Sequence, residues 1–135
     1  MRFSVVIPVY NGQGHIHRSV ESVLAQSFED YEIVIVNDGS TDDTAAVVRA
    51  LAEKERTGRV RLIERENGGV AAARNSGIKE SRGDYVCFLD SDDQWMEGHL
   101  SALSGAIDAY PGEVFFSTLS QNCLVDGRIV PLDKG

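Results

Sequence analysis

The hydrophobic positions of this chain form short unbroken runs, separated by longer segments in which polar and apolar residues mix. A short apolar run is typical of a strand buried on both faces, so we predict strands at 3–9, 32–36, 60–64 and 85–89. Apolar residues three or four positions apart predict helices at about 15–26, 42–56, 70–78 and 97–110. This alternation predicts an α/β fold in which helices cover a largely parallel sheet.

The C-terminal segment predicts further strand structure. Residues 113–119 are expected to form a strand, and Asp126-Gly127 predicts a hairpin within 122–131 because this pair favours a two-residue turn. The sequence contains no repeat, low-complexity segment or linker. We therefore expect one domain over residues 1–135, which is an ordinary length for a domain.

Single residues predict some helix boundaries and faces. Ser40 or Thr41 is a suitable N-cap, which would place Asp42 and Asp43 in the first turn, at the positive end of the helix dipole. The helix at 70–78 is lined with small residues, so its backbone is expected to approach the sheet closely. Gly83 is placed to stop that helix ahead of the strand at 85–89.

The three histidines are expected at the surface. His15 and His17 are two positions apart, so they face different sides of a helix and cannot jointly bind a metal ion. His99 is most simply an exposed helix residue. Trp95 has two open interpretations, as part of the core or as the floor of a pocket for an acceptor.

The composition is that of a folded globular protein, with 42% hydrophobic and 25% charged residues. The formal net charge of −8 argues against non-specific nucleic-acid binding, which requires a basic face. An anionic ligand would have to be recruited locally, by a metal ion, a helix N-terminus or a few arginines.

The expected environment is cytoplasmic, with peripheral membrane association left open for a longer form. No apolar stretch approaches the ~20 residues that span a bilayer, and the N-terminal apolar run is too short for a signal peptide. Cys87 lies inside an apolar run and is expected to be a small buried hydrophobe. The cysteine spacing predicts neither a disulfide framework nor a zinc site.

Three carboxylates follow the strand at 85–89, namely Asp90, Asp92 and Asp93. Strand ends in parallel sheets open onto the crevice where ligands bind. Carboxylates gathered there repel each other unless a cation lies among them, and oxygen ligands favour Mg²⁺ or Mn²⁺ over zinc. The sequence therefore predicts a divalent metal site that binds a phosphate-bearing ligand.

Four ordered motifs resemble glycosyltransferase family 2. They are VVIPVYN at 5–11, VIVNDGSTD at 34–42, NGG at 67–69 with ARNSG at 73–77, and GDY at 83–85 leading to LDSDD at 89–93. The resemblance covers about residues 3–100. It implies the GT-A fold, a Rossmann-like α/β/α sandwich, and metal-dependent transfer of a sugar with inversion, from a nucleotide-sugar donor that is expected to be a UDP-sugar.

The resemblance also assigns roles to residues on the donor side. Asp38 is similar to the acid that hydrogen-bonds the nucleobase, and Pro8, Val9 and Tyr10 are similar to the loop that walls the base. Asp38 could instead cap the following helix, since aspartate is a favoured cap residue.

The diphosphate side is assigned in the same way. Arg74 resembles the helix residue that reaches the base or the diphosphate, Asp90 the acid nearer the ribose, and Asp92 the direct metal ligand. Arg74 could instead form a surface ion pair. Asp93 could belong to the site or cap the next turn.

The chain departs from the family pattern at Glu97, where proline is common, and it ends at Gly135, short of a complete member. We therefore expect a fold truncated at its C-terminus, with the acceptor-binding half and the general base beyond Gly135. No catalytic residue is nominated, and the acceptor remains unknown. The alternatives are a non-catalytic nucleotide-binding or partner-docking module, and a haloacid-dehalogenase-like phosphatase, whose Asp-x-Asp follows its first strand rather than its fourth.

Overall fold

Strands and helices alternate along the chain, as the apolar pattern predicts. The computed structural model describes residues 1–112 together with residues 118–119 and 124–125. The described elements are β1 (Phe3–Val9), α1 (Ile16–Leu24), β2 (Tyr31–Asp38), α2 (Thr44–Lys54), β3 (Val60–Arg65), α3 (Val70–Glu80), β4 (Tyr85–Phe88), α4 (His99–Ala109), β5 (Thr118–Leu119) and β6 (Leu124–Val125).

Four of the strands form a parallel sheet in the order β3-β2-β1-β4. In its centre Val5 pairs with Ile33 on one side and with Cys87 on the other. All residues of β1 and β2 are buried, which explains the unbroken apolar runs at 5–9 and 33–36 within them. The short strands β5 and β6 pair antiparallel in a separate sheet.

Helices cover both faces of the parallel sheet, which confirms the predicted α/β/α sandwich. Alternate residues of each strand point to opposite faces. One face packs against α1, α2 and α4 through a cluster that includes Val5, Ile7, Ile33, Ile35, Val20, Val23, Val48, Leu100 and Leu103. The other face packs against α3 through a smaller cluster of Val6, Val34, Val36 and Ala73.

Helix α3 lies close to the centre of the sheet, as its small residues predict. A Cβ atom built on Gly77 would lie 2.3 Å from Cγ1 of Val6. The backbone at Gly83 also approaches β1 closely, since a Cβ atom built there would lie 2.6 Å from the carbonyl carbon of Phe3. Both glycines therefore let α3 and the turn after it sit directly against β1.

A buried ion pair ties the amino-terminal ends of the strands together. Glu32 of β2 lies 3.0 Å from Nε of Arg61 in β3. Its other carboxylate oxygen accepts hydrogen bonds from Oγ of Ser4 at 2.7 Å and from the backbone N–H of Arg82 at 2.8 Å. This network joins three strands to the turn between α3 and β4.

The predicted start of α2 is wrong. The helix begins at Thr44, with Asp43 at the N-cap position, so Asp42 and Asp43 precede its first turn. The carboxylate of Asp42 accepts hydrogen bonds from both the backbone N–H and the hydroxyl of Thr44. The carboxylate of Asp42 therefore accepts from a backbone N–H at the start of α2, the role that was expected of Ser40 or Thr41.

The predicted exposure of His99 is also wrong. His99 is only 6% exposed, and its ring stacks on Trp95 with the centroids 4.2 Å apart. Burial lowers the pKa of His99 to about 4. His15 and His17 are half-buried rather than exposed.

Cys87 is buried, as expected, and burial raises the pKa of its thiol to about 12. Within the described residues, no helix is long and apolar enough to cross a membrane. The predicted hairpin turn at Asp126-Gly127 and residues 113–117 of the predicted C-terminal strand lie outside the described residues, as does Cys123.

Candidate functional site

The strand order places a topological switch point between β1 and β4. From β1 the chain proceeds to β2 and β3 on one side, and then returns to place β4 on the other side. In open parallel sheets, ligands bind in the crevice at such a point, outside the carboxyl ends of the strands. Since β2 and β4 both neighbour β1, the two strands lie about 10 Å apart, two strand spacings, and both open onto this edge of the sheet. The loop after β1 runs between them.

The acidic turn after β4 brings three carboxylates together. Asp90, Asp92 and Asp93 each offer one oxygen, and these oxygens lie within 4.8 Å of one another. All three side chains are exposed. Partial burial, followed by the charges of Asp92 and Asp90, raises the pKa of Asp93. A divalent cation would relieve this repulsion.

The ligand chemistry of this turn fits Mg²⁺ or Mn²⁺. Both ions prefer oxygen donors, and Mg²⁺ binds them at about 2.1 Å. Mg²⁺ typically takes one or two carboxylates and completes its shell with waters and substrate phosphates. The acidic turn is exposed enough to leave such positions open.

Asp38 ends β2, and its carboxylate is held by the loop at 67–69. One of its oxygens accepts from the backbone N–H of Gly68 at 3.0 Å, and the other accepts from Gly69 at 2.9 Å and from Nδ2 of Asn67 at 3.4 Å. Asp38 is only 4% exposed. The alternative that it caps α2 is therefore wrong, because its partners precede α3.

Arg65, which the sequence interpretation missed, completes the surroundings of Asp38. Its Nε lies 3.1 Å from a carboxylate oxygen of Asp38. Its Nη1 donates to the carbonyl of Ala72 at 2.9 Å and to Oγ of Ser76 at 2.7 Å, both on α3. The available signal was its position, since Arg65 ends β3 at the same edge of the sheet as Asp38.

An open cavity lies beside this group. Its volume is about 710 Å³, and its lining residues are Gly39, Glu64, Arg65, Glu66 and Asn67. These residues come from the ends of β2 and β3 and from the loop ahead of α3. Two of the residues that line the cavity, Arg65 and Asn67, contact the carboxylate of Asp38.

Arg74 reaches from α3 to the acidic turn. Its Nη2 lies 3.5 Å from a carboxylate oxygen of Asp90, and its guanidinium carbon lies 5.7 Å from the ring centroid of Phe88. The structure therefore brings Arg74 and Asp90 together. Arg74 is largely buried while Asp90 is exposed, so the pair lies at the rim of the crevice rather than on an open surface.

The loop after β1 is fixed to the loop after β2. Oδ1 of Asn11 accepts from the backbone N–H of Thr41 at 2.8 Å, and the N–H of Asn11 donates to Oγ of Ser40 at 2.9 Å. Pro8 and Val9 are buried, while the adjacent Tyr10 is 51% exposed. Tyr10 is therefore the member of this loop whose side chain is accessible to a ligand.

A second group that the sequence interpretation missed is a row of polar residues on the buried side of α1. His15, Ser19, Ser22 and Gln26 follow one another at helical spacing, and each contacts the segment at 90–100. Ser19 and Gln26 are buried. Polar residues within the stripe of Ile16, Val20 and Val23 were the available signal, because buried polar groups require partners.

Glu97 and Trp95 lie in that same segment. The carbonyl of Glu97 accepts from the backbone N–H of Ser27 at 3.2 Å, so this position is anchored although it carries no proline. Trp95 is half-buried and packs against the main core. This contact supports the core interpretation of Trp95.

Comparison with sequence families gives a match over most of the chain. The model described as glycosyl transferase family 2 matches residues 4–131. The chain is 35% identical over 113 residues to the glycosyltransferase GlyA of Streptococcus pneumoniae, covering 84% of this chain and 16% of that protein. It is 40% identical over 90 residues to the uncharacterized glycosyltransferase EpsJ of Bacillus subtilis, covering 67% and 26%. The chain therefore spans about a quarter or less of these two relatives.

Solved structures are also similar to this chain. TarS of S. aureus, residues 1–349 in complex with UDP-GlcNAc, superposes with a TM-score of 0.73 at 30% identity, covering 97% of this chain and 37% of that one. The mannosyltransferase PcManGT of Pyrobaculum calidifontis, in complex with GDP-Man and Mn²⁺, superposes with a TM-score of 0.75 at 25% identity, covering 90% and 37%.

Proposed function

Since the chain belongs to glycosyl transferase family 2, we propose that it forms the donor-binding part of an enzyme that transfers a sugar from a UDP-sugar to an acceptor hydroxyl with inversion. The similar structures support a nucleotide-sugar donor, because they hold UDP-GlcNAc, UDP or GDP-Man. The choice of UDP rests on the TarS complexes, which cover 97% of this chain.

One observation carries the proposal: three carboxylate oxygens gather at the switch point of a parallel sheet. An anionic diphosphate cannot approach such a group without a cation between them, because like charges 4 Å apart cost about 4 kcal/mol at an effective dielectric of 20. A bound Mg²⁺ or Mn²⁺ would supply that positive charge and stabilise the charge that develops on the leaving diphosphate.

On the diphosphate side we assign Asp92 as the direct metal ligand and Asp90 as the acid nearer the ribose. Arg74, which pairs with Asp90 at 3.5 Å, would orient that carboxylate and add positive charge beside the phosphates. Asp93 lies in the same group of carboxylates and would contribute mainly to its negative field.

On the base side we assign Pro8, Val9, Tyr10 and Asp38. The exposed ring of Tyr10 would wall the base from the β1 loop. Asp38, which is buried and holds the loop at 67–69, would position that loop against the base at the end of β2. We assign no general base and no acceptor-binding residue to the part of the chain that the structure describes.

Calorimetric titration of UDP into the protein tests the metal site. We expect binding in the presence of Mn²⁺, little binding in the presence of a chelator, and at least tenfold weaker binding for Asp92→Ala. Asp84→Ala is the matched control, because Asp84 is also exposed but lies at the opposite end of β4. That variant should bind UDP like the wild type. Equal affinity of the wild-type protein with and without chelator would exclude the metal role.

A further inference from the structure

The polar residues of α1 form one continuous contact with the segment at 90–100. We name His15, Ser19, Ser22 and Gln26 the polar stripe of α1. Ser19 and Ser22 lie within α1, His15 is its N-cap and Gln26 follows its C-cap. The spacing of four, three and four positions keeps all four residues on the same side. That side points to the segment that carries the acidic turn, so the stripe connects the helix after β1 to the loop after β4.

Ser19 makes the central contact of the polar stripe. Its side chain is fully buried. Its Oγ lies 2.6 Å from the carbonyl oxygen of Ser91, 2.7 Å from that of Asp93 and 3.4 Å from that of Asp90. A hydroxyl has a single proton to donate, so one buried donor serves three backbone acceptors of the same turn.

The turn itself is closed by the backbone N–H of Asp93, which donates to the carbonyl of Asp90 at 3.0 Å. Its carbonyl oxygens thus converge on α1, while its three carboxylates are exposed and converge on each other. Holding the carbonyls fixes the backbone from which the carboxylates project. The hydroxyl of Ser19 therefore acts on the carboxylates through the turn.

The rest of the polar stripe extends this contact to α4. Oγ of Ser22 accepts from the backbone N–H of Trp95 at 3.1 Å and donates to the carbonyl of Ser19 at 2.7 Å. The side chain of Gln26 donates to the carbonyl of Met96 at 2.7 Å and accepts from the N–H of Leu100 at 2.9 Å. These bonds hold the backbone beyond the turn, but only Ser19 contacts the turn through its three carbonyls.

We propose that Ser19 is a positioning residue for the metal site: its hydroxyl holds the backbone of the turn at 90–93 so that Asp90 and Asp92 present their carboxylates to one cation. This inference rests on the metal role given under the proposed function. A metal site requires its ligands within about 0.5 Å of their productive positions. A turn that loses this buried donor to its backbone carbonyls would no longer meet that requirement.

Titration of the protein with Mn²⁺ in the presence of saturating UDP, followed by the electron paramagnetic resonance signal of free Mn²⁺, tests this proposal. We expect Ser19→Ala to weaken Mn²⁺ binding about tenfold and to broaden the spectrum of the bound ion. The preference for UDP over CDP should not change, because the residues assigned to the base side lie on β1, on the loop after it and on β2, and the hydroxyl of Ser19 bonds to none of them. Ser101→Ala is the control, since Ser101 is exposed on α4 and bonds to Ser27.

The outcomes separate this inference from the proposed function. If the wild-type protein binds no Mn²⁺, both are overturned. If the wild-type protein binds Mn²⁺ and Ser19→Ala binds it within twofold as tightly, only the positioning role is overturned. Should Ser19→Ala fail to fold, Ser19→Cys replaces it, because a thiol keeps the buried side chain but is a weak donor. The same loss of Mn²⁺ affinity is then expected, and unchanged affinity would count against the role.

Discussion

At the scale of single residues, Asp38 shows how a buried carboxylate can shape a site through the backbone. A carboxylate accepts about four hydrogen bonds, and Asp38 already receives three from the loop at 67–69 and pairs with Arg65. The loop leads directly into α3, which carries Arg74. Asp38 therefore links the ends of β2 and β3 to the helix that reaches the acidic turn.

We predict that Asp38→Ala loses the discrimination between UDP and other nucleoside diphosphates, and that it destabilises the fold. The N–H groups of Gly68 and Gly69 and the guanidinium of Arg65 would lose their acceptor, and each such bond contributes about 0.5–1.5 kcal/mol. The expected loss in the free energy of unfolding is therefore about 2–4 kcal/mol. Urea denaturation measures the stability, and competition between UDP, CDP and GDP measures the selectivity.

Asp30→Ala is the control for this prediction. Asp30 immediately precedes β2, at the opposite end of the strand, and its exposed carboxylate contacts only the N-terminal amine at 4.0 Å among the described ion pairs. Its replacement should leave both measurements within error of the wild type. Unchanged nucleotide selectivity in Asp38→Ala would remove Asp38 from the base site, whatever happens to stability.

The sequence predicted some site residues and not others for a physical reason. Asp90, Asp92 and Asp38 follow buried strands, and parallel strands bring such residues to one edge. Ser19 acts through the backbone carbonyls of the turn at 90–93, and Arg65 acts through the side chain of Asp38. Both roles therefore depend on tertiary contacts. Nothing in the local sequence of α1 says that the turn at 90–93 will lie against Ser19.

At the scale of elements, the distance between α3 and the sheet depends on Gly77. The Cβ of any larger residue would lie 2.3 Å from a methyl carbon of Val6, well inside van der Waals contact. Since Val6 lies on the central strand β1 and is fully buried, it has little room to move. Helix α3 would have to shift away from the sheet.

We predict that Gly77→Ala destabilises the protein by about 1–3 kcal/mol, the usual cost of overpacking. The matched control is Gly105→Ala on α4, where an added Cβ would meet nothing within 4 Å. Alanine is the better helix former by about 1 kcal/mol, so this variant should be as stable as the wild type or more so. Thermal unfolding of the two variants measures the difference, and equal stability would contradict the close packing of α3.

The bounds of the four strands of the parallel sheet were predicted to within two residues at each end. β1 has the predicted bounds, because each of its seven residues lies in the core. The start of α2 was missed because Asp42, Thr44 and the loop after β1 bond to one another. His99 was misplaced although it precedes Leu103 by four positions, which puts both on the buried face of α4.

At the scale of the whole molecule, folding keeps two titratable groups in different charge states. Burial lowers the pKa of His99 to about 4 and so keeps its ring neutral. Burial would raise the pKa of Glu32, but the hydrogen bonds from Arg61, Arg82 and Ser4 outweigh it, and the pKa is lowered. The two groups therefore affect stability in different ranges of pH.

We predict that the free energy of unfolding falls as the pH decreases from about 6.5 to about 4. In this range the unfolded chain protonates His99 while the folded protein does not, so acid favours unfolding. A shift from 6.5 to about 4 corresponds to ~3 kcal/mol. Urea denaturation across this pH range measures the effect.

His99→Phe isolates this contribution, because phenylalanine keeps a ring against Trp95 but does not titrate. Its stability should change less between pH 6.5 and pH 4 than that of the wild type, by up to ~3 kcal/mol.

Glu32→Gln is the opposite case: a depressed carboxyl pKa stabilises the fold above about pH 4.5 and loses that effect only in stronger acid. Between pH 6.5 and pH 4.5, the free energy of unfolding of this variant should change with the same slope as that of the wild type. If His99→Phe kept that slope as well, the ring of His99 would have to be protonated in the folded protein, and the burial of α4 against the core would need revision.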